Sequence, residues 1–239
     1  MIAVNAQIRG QLSTQSSWPG RYPPLVPRPA AIIDLLGALA YGELSAFDRL
    51  ADDARLAPTL AGRAEMSMMA AVEMGHYQAL ATQLTELGTT PEQAMEPFVA
   101  ALETYHSLTT PSTWLEGVVK AYVGDGMAGD FYREVAEFVD EPTRALIHEA
   151  LADAGRAEFA VREVRAAIQA QPAVAGRLAL WARRLVGEAI SQTQHVLADR
   201  DALMELLVEG ADDLAGIAGL TGRITDRHEE RMVALGLNS

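Results

Sequence analysis

The segment Glu73-Met74-Gly75-His76 carries a carboxylate and an imidazole three residues apart. On an α-helix such residues share a face, so both groups can reach one divalent ion. Helical bundles that bind metal this way take one carboxylate from the first helix of each hairpin and a Glu-x-x-His from the second. Glu43 qualifies as that first carboxylate, because it follows the apolar stretch Leu35–Gly42, where an unpartnered charge is costly. Glu43 precedes Pro58 by fifteen residues and Glu73 follows it by fifteen. At about 1.5 Å rise per residue both sit roughly 22 Å from the turn, at equal depth in an antiparallel hairpin.

The pattern recurs further on. Gly124-Asp125 echoes Gly42-Glu43, and Asp153-Ala154-Gly155-Arg156 echoes Glu73-Met74-Gly75-His76. Asp125 and Asp153 each lie fourteen residues from Val139, beside a turn at Asp140-Glu141-Pro142. The echo fails at one position: Arg156 stands where His is expected, and a guanidinium stays protonated and cannot ligate a metal. Glu43, Glu73, Asp125 and Asp153 sum to −4. With Arg156, two divalent ions leave +1, one leaves −1, and none leaves −3, a costly sum inside a core. One ion beside an Arg-neutralised second half therefore stands level with a two-metal centre. A plainer reading has Glu73 and His76 facing solvent and Asp125, Asp153 and Arg156 forming an ordinary ion-pair network. His106, His148, His195 and His228 have no partner at ligand spacing and read as surface or packing residues.

The elements that must position these groups are helices. Residues 1–29 are rich in Ser, Pro, Gly and Gln without periodicity and read as an N-terminal extension, leaving 30–239 as one helical domain. Apolar residues at helical spacing predict a first helix from about Ala30 to Leu56 and a second from Leu60 to Leu87, ended by Gly88. Pro91, Pro97 and Pro111 mark a long connection to Thr113, with room for a short helix between the last two. A third helix is predicted over 114–139, a fourth over 143–170, and two more over 176–208 and 212–235. Two hairpins and a long crossover make an all-α, ferritin-like four-helix bundle with two additional C-terminal helices. Met66, Met68, Met69 and Met74 read as core filling.

Composition narrows the function classes. The 239 residues hold no Cys, which excludes disulfides and thiolate ligands or nucleophiles. No signal peptide is visible, and no stretch approaches about 18 uncharged apolar residues, so a cytoplasmic protein without a membrane span is expected. Net charge −13 opposes nucleic-acid binding, apart from a local Arg run (Arg156, Arg162, Arg165, Arg177, Arg183, Arg184) that reads as a solvated face. There is no phosphate loop, nucleophile elbow or dinucleotide fingerprint. An oligomer is compatible with all of this.

The stretches Asp34-Leu35-Leu36-Gly37, Ala40-Tyr41-Gly42-Glu43, Thr113-Trp114-Leu115-Glu116-Gly117 and Lys120 to Gly126 resemble the tRNA hydroxylase (MiaE)-like group of ferritin-like proteins from actinobacteria. So do Ala157-Glu158-Phe159, Leu180 to Leu185, and Arg231-Met232 with Gly236-Leu237, so that nearly everything after residue 30 is covered. The resemblance implies a non-haem di-iron oxygenase that hydroxylates a prenylated adenosine in tRNA, with an electron donor as partner. Carried over by position, Glu43, Glu73 and His76 match one iron's ligands, and Asp125 and Asp153 match the other's carboxylates. Arg156 departs from the His of the pattern, and the acidic chain departs from what a tRNA substrate asks. The alternative is a bundle with a degenerate site, serving as a structural or protein-interaction module.

Overall fold

A computed structural model describes residues 29–152, 155–211 and 214–238. Residues 1–28 of the predicted extension, and Asp153, lie outside the described residues. The described residues form helices and no strand. In order these are α1 (Pro29–Asp53, followed by a 3₁₀ turn Ala54–Leu56), α2 (Leu60–Glu86), α3 (Pro91–Leu108), α4 (Trp114–Val119), a π-helical segment Lys120–Gly124, and α5 (Asp125–Ala136). Then come α6 (Glu141–Ala150), α7 (Arg156–Ala170), α8 (Val174–Asp199), α9 (Asp201–Gly210) and α10 (Leu214–Leu235).

Side chains set several of the boundaries. Thr59, Thr90, Thr113 and Asp140 cap the N-termini of α2, α3, α4 and α6 by accepting hydrogen bonds from Gly62, Gln93, Glu116 and Thr143 backbone N–H groups. Glu116 returns the favour by accepting from Ser112 N at 2.7 Å, close to a capping box. Gly88 closes α2 with φ 84°, a conformation L side chains rarely adopt.

Helix α1 is the centre of the bundle, covered by α2, α3 and α9. By length and composition Pro29–Leu56 is apolar enough to span a bilayer, an exception to the sequence expectation. Its apolar girth is spent inside the protein, since Leu35, Leu36, Leu39 and Ala40 are all buried. The crossover differs from expectation. It is not a long loop with a short helix but an 18-residue helix, α3, which packs on α1. Pro97 is tolerated within it because it is exposed, so the Gln93 carbonyl it leaves without an amide is open to water. Gly37 permits the contact: a Cβ there would lie 2.2 Å from the Ala94 carbonyl oxygen.

The later helices are more broken than predicted. The third is one continuous run from 114 to 136 with a π-segment in its middle. The fourth divides into α6 and α7 around Gly155, whose φ is 87°. The fifth divides at Arg200, which forms a two-pronged ion pair with the buried Asp34 of α1. Helix α10 is tied to α5 by Arg223, Arg227 and Arg231, four residues apart on one face, against the buried Asp130 and Glu134.

Two apolar clusters result. One joins α1 residues 31–40 to the C-terminal part of α2, with Phe98, Val135 and Ile147. The other joins Leu50 to Met66, Met69 and Ala70 of α2, with Val123, Phe159 and Leu185. On α1, α2 and the third bundle helix alike, groups able to hold a metal lie between the two clusters: Glu43, then Glu73 and His76, then Asp125. Met68 is not core filling as expected, being 62% exposed.

Candidate metal centre

The polar waist brings Glu43, Glu73 and His76 together. His76 Nδ1 lies 3.4 Å from Glu43 Oε2 and 3.3 Å from Glu73 Oε2. One ligand atom from each residue falls within 4.8 Å of the others, close enough for all three to reach one ion. The depth match of α1 and α2 explains this, because both helices run unbroken from their shared turn. Both carboxylates are buried and the His76 side chain is 13% exposed, so the solvent-facing reading of Glu73 and His76 does not hold.

The second half-site is built differently. Arg156 is the first residue of α7, and its Nη1 lies 3.0 Å from Glu73 Oε1 and 3.7 Å from Asp125 Oδ2. α6 ends at Ala150 and α7 begins at Arg156, directly after Gly155 with its φ of 87°, while Asp153 lies outside the described residues. Glu73 Oε1 is buried and accepts no hydrogen bond among the described residues; its charge is met by the ion pair with Arg156. One edge of Glu73 thus faces His76 and Glu43 while the other faces a guanidinium. A first metal fits this donor set of two carboxylates and an imidazole. A second ion touching Glu73 Oε1 would have to displace Arg156.

Protons carry the charge that the site would otherwise hold alone. Burial, with the Glu73 carboxylate beside it, pushes Glu43 up to about 8, against the pull of His76. Glu73 is held below the usual carboxylate range: burial works against this, but His76, Glu43 and Arg156 outweigh it. Contacts with Glu43 and Glu73 raise His76 to about 9 in spite of its burial. Burial raises Asp125 to about 7, with Arg156 opposing. At neutral pH these shifts favour a proton on Glu43 and on His76 and an ionised Glu73.

Residues missed in the sequence complete the surroundings. Lys120 is buried, donates to the Thr109 carbonyl at 2.9 Å, and is lowered to about 8 by burial. Its signal was legible, since it interrupts the apolar run Val118-Val119-Lys120-Ala121 just as Glu43 interrupts its own. The Tyr105 hydroxyl is buried without a hydrogen-bond partner among the described residues, and a Cβ on Gly124 would lie 2.4 Å from it. His106 is a packing residue as expected, with Nε2 3.2 Å from Ser45 Oγ. Of the arginines read as a solvated face, Arg156 is drawn into the site, whereas Arg162 and Arg165 are exposed as expected and bond across the surface to Glu65 at 2.7 Å and to the Ala234 carbonyl at 2.6 Å.

A central helix hairpin offering Glu, Glu and His at one depth, with a second hairpin closing over it, defines the ferritin-like class with a possible metal site. The match to known families is narrower: residues 28–210 fit the family described as "Ferritin-like domain, actinomycetes", and the chain belongs to it. No curated protein matches the chain. The family match stops before α10, although α10 is clamped to α5.

Proposed function

We propose that this chain is a non-haem iron protein holding one ion on Glu43, Glu73 and His76, and that it carries out oxygen-dependent oxidation with an external electron donor. The observation that carries the single-ion reading is Arg156, whose guanidinium sits on the Glu73 oxygen that a second ion would need. The donor set supports the choice of metal: hard carboxylates with one imidazole suit ferrous iron or manganese better than copper or a thiophilic ion. Three protein ligands would leave coordination positions open, and bound iron would supply the redox chemistry toward oxygen. The chain's own part is to orient the three ligands, to neutralise Glu73 from behind through Arg156, and to keep bulk water out with an apolar cluster on either side. Hydroxylation is the reaction implied by the resemblance to the MiaE-like group. Net charge −13, with Arg156 committed to Glu73, argues for a small or weakly charged substrate rather than tRNA.

A second reading has its own observation. Glu43, Glu73, His76 and Arg156 already satisfy one another as a protonated ion-pair network, which a purely structural bundle would also need. Metal content after anaerobic loading with ferrous iron and removal of excess separates the two. About one iron per chain supports the single-ion protein. Two would overturn the role given to Arg156, and none would leave the structural scaffold.

A further inference from the structure

The π-segment Lys120–Gly124 carries one charged residue, Lys120, and buries it. A π-helix bonds residues five apart where an α-helix bonds residues four apart, so positions 120 and 125 come round toward one face. Packing agrees with this. A Cβ on Gly124, the residue just before Asp125, would lie 2.4 Å from the Tyr105 hydroxyl and 3.8 Å from Lys120 Cγ. The stem of Lys120 thus runs alongside the backbone that presents Asp125. Its ammonium donates to the Thr109 carbonyl at 2.9 Å and lies 5.4 Å from the centre of the Tyr105 ring. The charged groups around it are Asp53 and Arg49 of α1, Glu103 of α3, and Asp125. Arg49 and Glu103 pair with each other at 3.0 Å, which leaves Asp53 and Asp125 as the anions that offset the buried ammonium.

Asp125 therefore stands between two cations. Arg156 Nη1 lies 3.7 Å from its Oδ2, and Lys120 acts on it from within the same helical run. We infer that Lys120, together with Arg156, sets the capacity of the centre at one divalent ion, by opposing a cation at Asp125 with a fixed positive charge. This rests on the single-ion reading above and extends it from one blocking residue to two. The two act differently. Arg156 works by contact, on the Glu73 oxygen that a second ion would need. Lys120 works through its field and occupies no ligand atom of Glu43, Glu73 or His76. A unit charge about 10 Å from a divalent ion, at an effective dielectric between those of protein and water, changes affinity by about tenfold. The effect falls mainly on the Asp125 side, and less strongly on the ion held by Glu43, Glu73 and His76.

Equilibrium dialysis of the full chain against manganese(II) tests this without any turnover. Lys120→Met, uncharged and close in length, is expected to tighten the first ion by about threefold or more. Lys120→Arg keeps the charge and is expected to stay within about twofold of the parent, a split that a packing role alone would not produce. In the Arg156→His background a second ion is expected to bind weakly, and adding Lys120→Met should tighten it by at least about tenfold. Unchanged affinities in Lys120→Met overturn the inference, as does a single ion per chain in the double variant. A parent that binds no manganese overturns the single-ion reading, and this inference with it, so the two failures are told apart. Should the double variant lose helical content by circular dichroism, the first-ion affinities of Lys120→Met and Lys120→Arg decide alone.

Discussion

The two hairpins of the bundle offer the same waist position to chemistry and fill it in opposite ways. In the first, α1 and α2 are regular and unbroken, and Glu43, Glu73 and His76 converge at equal depth. In the second, a π-segment shifts the register just before Asp125, and a left-handed glycine divides the partner helix just before Arg156. A π-turn spends an extra residue without completing a normal helical step, so depth counted along an ideal helix loses its meaning beyond it. The result is an asymmetric centre: ligands on one side and a permanent cation on the other. Repeating a sequence pattern does not repeat a site unless the helices that carry it are also repeated.

The largest effects should come from removing either side of that asymmetry. His76→Ala is expected to lower metal affinity by about 100-fold or more, because it deletes a ligand rather than one of the supporting contacts that cost about 10–100-fold. Helical content by circular dichroism should barely change; unaltered affinity by equilibrium dialysis would break the assignment of the first half-site. Arg156→Ala removes the cation paired with Glu73 Oε1 and should destabilise the metal-free protein by about 3 kcal/mol, the scale for breaking one side of a buried ion pair. Metal loading should recover part of that loss, read as a larger metal-dependent shift in melting temperature than in the parent. Arg156→His sharpens the comparison further. If the guanidinium alone disables the second half, stoichiometry should rise above one; no rise would mean that the break around Gly155 disables it as well.

Proton release is a subtler probe of the first half-site. His76 and Glu43 hold protons up to about 9 and about 8, and a metal can bind only by displacing them. Fewer protons remain to be displaced as pH rises, so affinity should climb between about pH 6 and 9, by at most about tenfold per pH unit for each proton released. Calorimetry in two buffers of different ionisation enthalpy would count the protons, and a value near zero would contradict the protonated resting state.

The smallest effect compares two glycines that look equivalent in the sequence. Gly42 precedes Glu43 and Gly124 precedes Asp125, yet a Cβ on Gly42 would touch nothing within 4 Å whereas one on Gly124 would strike the Tyr105 hydroxyl. Gly42→Ala should therefore stabilise by up to about 1 kcal/mol through helix propensity. Gly124→Ala should destabilise by about 1–3 kcal/mol through overpacking. Chemical denaturation of the pair checks the contrast, and equal responses would restore the symmetry that the structure denies.

What the sequence determined on its own is everything that depends on one regular helix or on one short turn. Pro58 with its flanking apolar periodicity is enough to place Glu43 and Glu73 level, because an unbroken α-helix converts residue count into distance at a constant rate. The Glu-x-x-His face, the Arg156 defect and the all-helical class follow from the same local rules. Tertiary structure alone decided the rest. Whether Pro97 ends a helix or rides on its exposed side depends on what the carbonyl it orphans can meet. Whether Met68 fills a core depends on which face of α2 the bundle covers. Arg156 reaches Glu73 rather than solvent because α7 restarts beside α2, a juxtaposition of residues 83 apart that no local pattern encodes.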